Sequence, residues 1–168
     1  MENIKENITT EDIWKLMEDI NDPEIPVLSI TDLGIVRDIK LTDSGVEVFI
    51  TPTYSGCPAM DVISMNIRMT LLKEGFGKVK ITQQLSPAWT TDWMSEAGKN
   101  KLKAFGIAPP NPKPVVCTPD LFQQDEGVQC PHCNSYNTRL ISQFGSTACK
   151  ALYRCKDCLE PFDYFKCH

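Results

Sequence analysis

Two Cys-x-x-Cys pairs near the end of the sequence constrain its fold more than any other feature. Cys130 and Cys133 form the first pair, Cys155 and Cys158 form the second, and 21 residues separate the pairs. Two residues between thiolates let a turn bring both sulfurs onto one ion, and an intervening hairpin carries the second pair to the opposite edge of a tetrahedron. The spacing therefore predicts a four-cysteine metal site, with structural Zn²⁺ as the leading ion.

Three strand-like runs accompany these cysteines, at residues 139–144, 151–154 and 162–165. A module of this size has almost no core of its own, so a bound metal would provide much of its folding energy. The pattern predicts a small β zinc ribbon over residues 128–168. Because four thiolates leave no open position for a substrate, this ribbon is expected to be a scaffold and not a catalyst.

Other uses of the thiols stay open at this point. An iron–sulfur cluster takes the same ligands, and redox or disulfide chemistry is a third option. Cys117, Cys149, Cys167 and His168 could also join the metal site. Since free cysteine is often buried, Cys149 is also interpreted as a small buried apolar residue, and His132 as an exposed residue of the first pair.

Composition favours a protein of the cytoplasm without a membrane segment. No stretch approaches the ~18 apolar residues of a bilayer-spanning helix, and the first twenty residues carry six acids and no signal-like apolar block. Eight cysteines in a reducing compartment bind metals more often than they form disulfides.

Charge argues against a nucleic-acid partner. The net charge is −5, and only the tail is basic, with five basic against three acidic residues. That excess is weak for phosphate binding. A minor alternative, a ribbon that binds single strands, would use basic and aromatic residues of the tail. These are Arg139, Lys150, Arg154, Lys156 and Lys166, with Tyr153 and Phe162 among them.

Before the tail, some segments space their apolar residues as helices do, and others alternate apolar and polar residues as strands do. Helices are predicted at about 10–20, 59–74 and 95–105, and strands at 35–41, 46–51 and 79–85. Because the strands alternate in polarity, they fit a sheet with one buried face. We therefore predict an α+β fold, in which helices pack on a small, mainly antiparallel sheet.

A proline-rich segment separates this region from the ribbon. Five of the twelve prolines lie between Pro109 and Pro119, a density that favours an extended, semi-rigid spacer. The predicted domains are residues 1–106, a linker at 107–127, and the ribbon at 128–168.

Cys57 is the one cysteine of the first domain. It lies in the loop that joins the second predicted strand to the second helix, just before the helix begins. Unpaired N–H groups and the positive end of the helix dipole stabilise a thiolate there, so the sequence predicts a lowered pKa for Cys57. The alternative is a cysteine that only packs beneath the helix.

Several kinds of enzyme are not expected. Residues 1–106 contain no histidine, so a Cys–His nucleophilic pair cannot form within that domain. The sequence also lacks the glycine-rich motifs of dinucleotide and phosphate sites. Asp22, Glu24 and Asp32 cluster near prolines and turns, where they serve as turn and cap residues or as metal or partner contacts.

Six segments together resemble a known family: 22–26, 29–36, 51–58 and 86–93 in the first domain, and 144–155 and 162–167 in the ribbon. The first domain, over about residues 9–95, is similar to SufT-like and cytosolic iron–sulfur assembly proteins. With the spacer and the ribbon added, the whole chain resembles the D-subunit family encoded with a multicomponent phenylacetyl-CoA 1,2-epoxidase.

The resemblance implies an accessory protein and not an enzyme. It would help to assemble or insert iron or an iron–sulfur cluster, with Cys57 handling that cargo and Asp22, Glu24 and Asp32 near it. Its partners would be the oxygenase and reductase subunits of the epoxidase, or other iron–sulfur clients. The alternative is a non-catalytic structural adaptor of that complex. The type of cluster and the client stay open, and a cluster bridged by two Cys57 side chains would require a homodimer.

Overall fold

A computed structural model describes residues 8–111 and 128–166 of the chain. The chain divides into two compact units, Met1–Ser95 and Glu96–His168, called unit 1 and unit 2 below. In the described ranges, no helix combines the length and the apolar character needed to cross a bilayer.

Over residues 8–95, unit 1 combines three helical segments with a three-stranded sheet. The sheet has the order β1-β2-β3, in which β1 and β2 form an antiparallel hairpin and β2 and β3 are parallel. The parallel pairing follows from the connection, because α2 carries the chain back across the sheet before β3 begins. The elements are α1 Thr10–Glu18, β1 Val36–Thr42, β2 Gly45–Ile50, α2 Ala59–Lys73, β3 Val79–Gln83 and the 3₁₀ helix η1 Thr91–Trp93.

Local sequence explains the two long helices of unit 1. Thr9 and Asp12 form a reciprocal capping box that begins α1, as the Thr9 side chain accepts from the Asp12 N–H and the Asp12 carboxylate accepts from the Thr9 N–H. α2 buries one stripe of its surface in the core of unit 1 and ends before Gly75, whose φ of +95° suits glycine. The buried positions of α2 are Ala59, Met60, Ile63, Ile67 and Leu71.

The segment after β3 closes over the turn that precedes β1. The Trp89 indole Nε1 donates to the Leu33 carbonyl oxygen at 2.8 Å and is buried there. Gly34 has a φ of +69°, and a Cβ at that position would overlap the Trp93 carbonyl oxygen. Only glycine therefore fits beneath η1.

The described residues of unit 2 form one helix and a four-stranded sheet with the order β4-β7-β6-β5. β5, β6 and β7 form an antiparallel meander, and the short β4 adds in parallel to β7. Its small core includes two of the paired cysteines, Cys130 and Cys155, beside Phe162. The elements are α3 Glu96–Ala104, β4 Ile107–Ala108, β5 Thr138–Ser142, β6 Lys150–Cys155 and β7 Pro161–Phe165.

The predicted α+β class is confirmed, with one difference in detail. The sheet of unit 1 is mixed and not mainly antiparallel, because β3 returns parallel to β2. The α3 helix belongs to unit 2, because it contacts β4 and β4 pairs with β7. The predicted domain bounds at residues 106 and 128 stay a prediction. Most of the predicted linker lies outside the described residues, so its extent stays a prediction.

Candidate functional site

The four paired cysteines of unit 2 converge on one point. The Cys130 and Cys158 sulfurs lie 3.7 Å apart, the Cys133 and Cys155 sulfurs lie 3.5 Å apart, and all four lie within 4.8 Å of one another. Four sulfurs at about 2.3 Å from a shared tetrahedral ion would be about 3.8 Å apart. The thiols therefore fit a single metal ion. A disulfide would bring two sulfurs to ~2 Å, and a cluster would spread them over several irons.

Each Cys-x-x-Cys pair forms the same local turn. The N–H groups of Cys130 and Cys155 each donate to the carbonyl oxygen five residues later, at 2.9 and 3.0 Å. The residue after each pair is left-handed, with a φ of +62° at Asn134 and +66° at Leu159. The two pairs are thus structurally equivalent, which orients all four sulfurs inward.

Leu159 is strained in this position, and its substitution tests the turn. A left-handed conformation costs an L-residue roughly 1–2 kcal/mol, whereas glycine adopts it freely and asparagine at little cost. Because the Leu159 side chain is 60% exposed, Leu159→Gly is expected to stabilise the metal-loaded ribbon by up to about 1 kcal/mol in guanidinium unfolding. Asn134→Gly is the matched control, with little change. A destabilised Leu159→Gly variant would contradict this account.

Asp157 links the two cysteine pairs and was not identified from the sequence. Its carboxylate accepts from the Ser135 hydroxyl and, at 2.7 Å, from the Asn137 side-chain amide. These two bonds lower the pKa of Asp157, so it stays ionised. The N–H of Cys158, together with that of Asp157, donates to the Cys155 sulfur and lowers its pKa to about 7. The turn therefore favours a thiolate at Cys155, the form that binds a metal.

The remaining tail residues lie apart from this site or outside the described ranges. Cys149 is buried beside the Thr147 hydroxyl at the opposite end of β6, about 20 Å from Cys155 by the rise of a strand. It is therefore not a ligand of the four-cysteine site. His132 is exposed. Cys117, Cys167 and His168 lie outside the described residues.

The basic residues of the tail do not form a continuous exposed surface. Lys150 is buried and lies 3.7 Å from Asp163, and Lys166 is buried with its ammonium donating to the Gln143 carbonyl oxygen. Two of the five basic groups considered for nucleic-acid binding are therefore engaged within unit 2.

Cys57 occupies the loop that leaves the carboxyl end of β2. It lies directly before Pro58, the N-cap of α2, and its N–H donates to the Tyr54 carbonyl oxygen. Gly56 has a φ of +81°, and a Cβ at that position would meet no atom within 4 Å. The partly buried thiol thus follows the carboxyl end of β2, the strand that pairs in parallel with β3.

The pKa of Cys57 is raised, which overturns the predicted lowering. Burial of the thiol has the largest effect, and the negative charges of Glu24 and Asp22 add to it. Two hydrogen bonds, from the Ala59 N–H and from the Tyr54 hydroxyl, act in the opposite direction but do not compensate. At neutral pH the free protein therefore holds Cys57 as the neutral thiol.

The three predicted acids differ in their surroundings. Asp22 and Glu24 lie close enough to Cys57 to act on its charge, and the Asp22 carboxylate also accepts from the N–H groups of Glu24 and Ile25. Asp32 caps the turn over residues 29–34 and accepts from the Ser95 hydroxyl at 2.7 Å. Two of the acids thus act on the thiol through their charge, and the contacts of the third hold a turn. Among the described residues, the four cysteines of unit 2 are the one group of three or more Cys, His, Asp or Glu side chains close enough to share a metal ion.

Tyr54 was not identified from the sequence as a site residue, although its position three residues before Cys57 was a usable signal. A turn over Tyr54–Cys57 brings its hydroxyl back to the sulfur. The Tyr54 hydroxyl and the Ala59 N–H are therefore the donors that would stabilise a thiolate once a cation displaces the proton.

The charge of Glu24 can be tested by the reactivity of Cys57. Glu24→Gln removes a negative charge, so the pKa of Cys57 should fall and its alkylation by iodoacetamide at pH 8 should speed up severalfold. The measurement is peptide mass spectrometry of the metal-loaded protein over time. Glu74→Gln, at the far end of α2, is the matched control and should leave the rate unchanged. Equal rates in both variants would refute a charge effect from Glu24.

Two protein families match the sequence. The iron–sulfur cluster assembly protein family matches residues 10–82, and the PaaD zinc beta ribbon domain matches residues 115–166. In structure, 55% of this chain resembles 89% of a domain of unknown function from Bacillus anthracis, with a TM-score of 0.50 and 24% identity. That likeness supports the fold alone.

Two relatives match this chain over most of their own length. One is an Fe-S protein maturation auxiliary factor of Porphyromonas gingivalis, 39% identical over 52% of this chain and 85% of its own. The other, from Escherichia coli K12, is provisionally named as the D subunit of 1,2-phenylacetyl-CoA epoxidase and is 51% identical over 93% of this chain and 92% of its own. The chain therefore belongs to the family of 1,2-phenylacetyl-CoA epoxidase D subunits, in which an iron–sulfur cluster assembly domain precedes a zinc ribbon.

Proposed function

We propose that this chain is a cytoplasmic maturation factor of the phenylacetyl-CoA epoxidase system. It receives iron or an iron–sulfur cluster at Cys57 and delivers that cargo to the oxygenase or the reductase, without turning over a substrate of its own. Support comes from its family and from a relative named for Fe-S protein maturation.

The observation that carries the proposal is the setting of Cys57. The partly buried thiol follows the carboxyl end of β2, the charges of Glu24 and Asp22 act on it, and residues 1–106 contain no histidine to serve as a catalytic base. Because its pKa is raised, a proton competes with a cation for the sulfur at neutral pH. Binding is then reversible, which suits transfer of a metal better than permanent storage.

The supporting residues have distinct roles in this proposal. Glu24 and Asp22 supply negative charge that acts on the sulfur and attracts a cation, and Tyr54 stabilises the thiolate of the loaded state. Asp32 supports the site indirectly, since its bonds to Ser29 and Ser95 hold the neighbouring turn and the end of the 86–95 segment.

We assign a single Zn²⁺ to Cys130, Cys133, Cys155 and Cys158. The assignment rests on the sulfur distances and on the family description of a zinc ribbon. Four thiolates close the coordination sphere, so this ion stabilises the fold and takes no part in transfer.

The test is maturation of the epoxidase in cells that lack this chain and are complemented by wild type or by Cys57→Ser. The purified oxygenase and reductase should lack most of their iron without the chain and with Cys57→Ser, and should be replete with wild type. Iron content is measured by mass spectrometry, with catalytic activity beside it. Full iron without the chain would refute the maturation role. Full iron with Cys57→Ser, but not without the chain, would favour the adaptor function.

A further inference from the structure

A set of hydrogen bonds joins the two Cys-x-x-Cys pairs on the surface of the ribbon. The Ser135 hydroxyl donates to one carboxylate oxygen of Asp157, and the Asn137 side-chain amide donates to the other at 2.7 Å. The Lys156 N–H donates to the Asn137 carbonyl oxygen, also at 2.7 Å. Ser135 is half-buried and the other residues are exposed, so these bonds lie outside the small core of unit 2.

Ser135 and Asp157 also bond to the sulfurs of the site. Each lies two residues after a cysteine and donates its backbone N–H to it, Ser135 to the Cys133 sulfur and Asp157 to the Cys155 sulfur. The Cys133 and Cys155 sulfurs lie 3.5 Å apart. The bond from the Ser135 hydroxyl to the Asp157 carboxylate, called the Ser135–Asp157 link below, therefore closes a ring around these two sulfurs.

The burial of the cysteines explains why this ring matters. Cys130 and Cys155 are fully buried, so the packing of the core holds their side chains in place. Cys133 is exposed, and the core does not hold its sulfur. Its position therefore depends on its own turn and on the Ser135–Asp157 link, which ties that turn to buried Cys155. An exposed ligand is also the one that a competing chelator reaches first.

Glu160 offers a comparison within the same turn. It too lies two residues after a cysteine, and its N–H donates to the Cys158 sulfur. Its carboxylate is exposed and bonds to no other side chain among the described residues. Glu160 thus has the negative charge and the N–H bond to sulfur, as Asp157 does, but it lacks the link to the other cysteine pair.

We propose that Ser135 and Asp157 are positioning residues of the zinc site, which hold the exposed Cys133 sulfur against Cys155 and so slow the release of the ion. The proposal rests on the assignment of Zn²⁺ to the four cysteines. Neither side chain binds the metal itself. Both act through the cysteine ligands to which their N–H groups donate.

The expected effect is moderate. Hydrogen bonds of exposed groups are weak on their own, because water competes for the same partners. The Asp157 carboxylate is a charged acceptor with a donor on each oxygen, which makes its bonds stronger than those between neutral groups. Groups that hydrogen-bond to metal ligands change metal affinity about 10–100-fold. Because Asp157 is exposed, we expect the lower end of that range.

The first test measures the rate at which the zinc-loaded full-length protein releases its ion to an excess of a strong chelator. Asp157→Ala should release zinc about tenfold faster than wild type, and Ser135→Ala should do so by a smaller factor, since the bond from Asn137 stays. The double variant should be no faster than Asp157→Ala, because both substitutions remove the same link. Glu160→Gln is the matched control for loss of charge and should leave the rate unchanged. Equal rates in Asp157→Ala and Glu160→Gln, or additive effects in the double variant, would overturn the proposal.

The second test separates positioning from a simple loss of stability. In full-length protein loaded with ¹¹³Cd²⁺, a soft ion that thiolates bind, an N–H that donates to a metal-bound sulfur shows scalar coupling to the metal nucleus by NMR. Wild type should show this coupling at Ser135, Asp157 and Glu160. In Asp157→Ala, the coupling at Ser135 should weaken while the coupling at Glu160 persists. A variant that is only less stable would keep the Ser135 coupling in its folded molecules, and that result would overturn the proposal.

The zinc content of wild type tests the underlying assignment separately. A wild-type chain that holds no zinc would refute the assignment and this proposal together. One zinc ion per chain, with release and Ser135 coupling unchanged in Asp157→Ala, would refute the positioning role alone.

Discussion

Removal of the metal from unit 2 is expected to unfold its β ribbon and to leave unit 1 folded. Cys130 and Cys155 are fully buried and form part of the small core of the ribbon. Without the ion, nothing bonds the two Cys-x-x-Cys turns to each other within this core. Metal binding supplies ~10–16 kcal/mol in small zinc modules, which exceeds what so small a core provides. Cys155→Ser should have the same effect as a strong chelator.

Amide hydrogen exchange of the full-length protein measures this directly. Protection in β6 should be lost after chelation and in Cys155→Ser, while protection in α2 should persist and the zinc content should fall from one ion per chain to near zero. Cys149→Ser is the matched control, because Cys149 lies at the other end of β6. A ribbon that keeps its protection without metal would show that packing alone suffices.

Local patterns predicted most of the elements. The helical spacing of apolar residues predicted α1 and α2 to within a few residues of their observed bounds. The cysteine spacing predicted the ribbon. Two residues between thiolates let one turn bring both sulfurs to the same ion, and this depends only on the local chain. Such features depend on neighbours in sequence and are therefore visible in the sequence.

Features that depend on distant residues were missed. The alternation in β3 does not reveal its direction, although the long α2 between β2 and β3 was a signal for a parallel crossover. β4 has only two residues, and it is a strand because it pairs with β7, which lies more than fifty residues later in the sequence. The hydrogen bonds from Ser135 and Asn137 to Asp157 join the two cysteine pairs, and no spacing in the sequence predicts them.

The pKa of Cys57 shows the same limit within the site. Its place before α2 was correctly predicted, and the helix end does supply a donor through the Ala59 N–H. The direction of the shift was wrong because burial and the charge of Glu24, more than thirty residues earlier, outweigh that donor. A helix terminus makes one contribution to a pKa, whereas burial and the charges that the tertiary fold brings near the group determine its direction.

Loss of the Cys57 thiol is expected to remove iron binding from unit 1 and to leave zinc binding in unit 2 intact. After anaerobic loading with ferrous iron and sulfide, wild type should hold iron and one zinc ion per chain, whereas Cys57→Ser should hold zinc alone. A serine hydroxyl stays protonated at neutral pH and is a poor ligand for a soft metal centre. Cys149→Ser, which removes a buried thiol of unit 2, should load iron as wild type does.

The pH dependence of loading separates binding at Cys57 from adsorption to acidic side chains. Because the pKa of Cys57 is raised by burial and by Glu24 and Asp22, each bound ion must displace a proton at neutral pH. Iron affinity should therefore rise about tenfold per pH unit until the pH reaches that pKa, since one proton is released per thiolate formed. Carboxylates are already ionised at neutral pH and would give a flat profile. A flat profile, or equal iron in wild type and Cys57→Ser, would place the cargo away from this thiol.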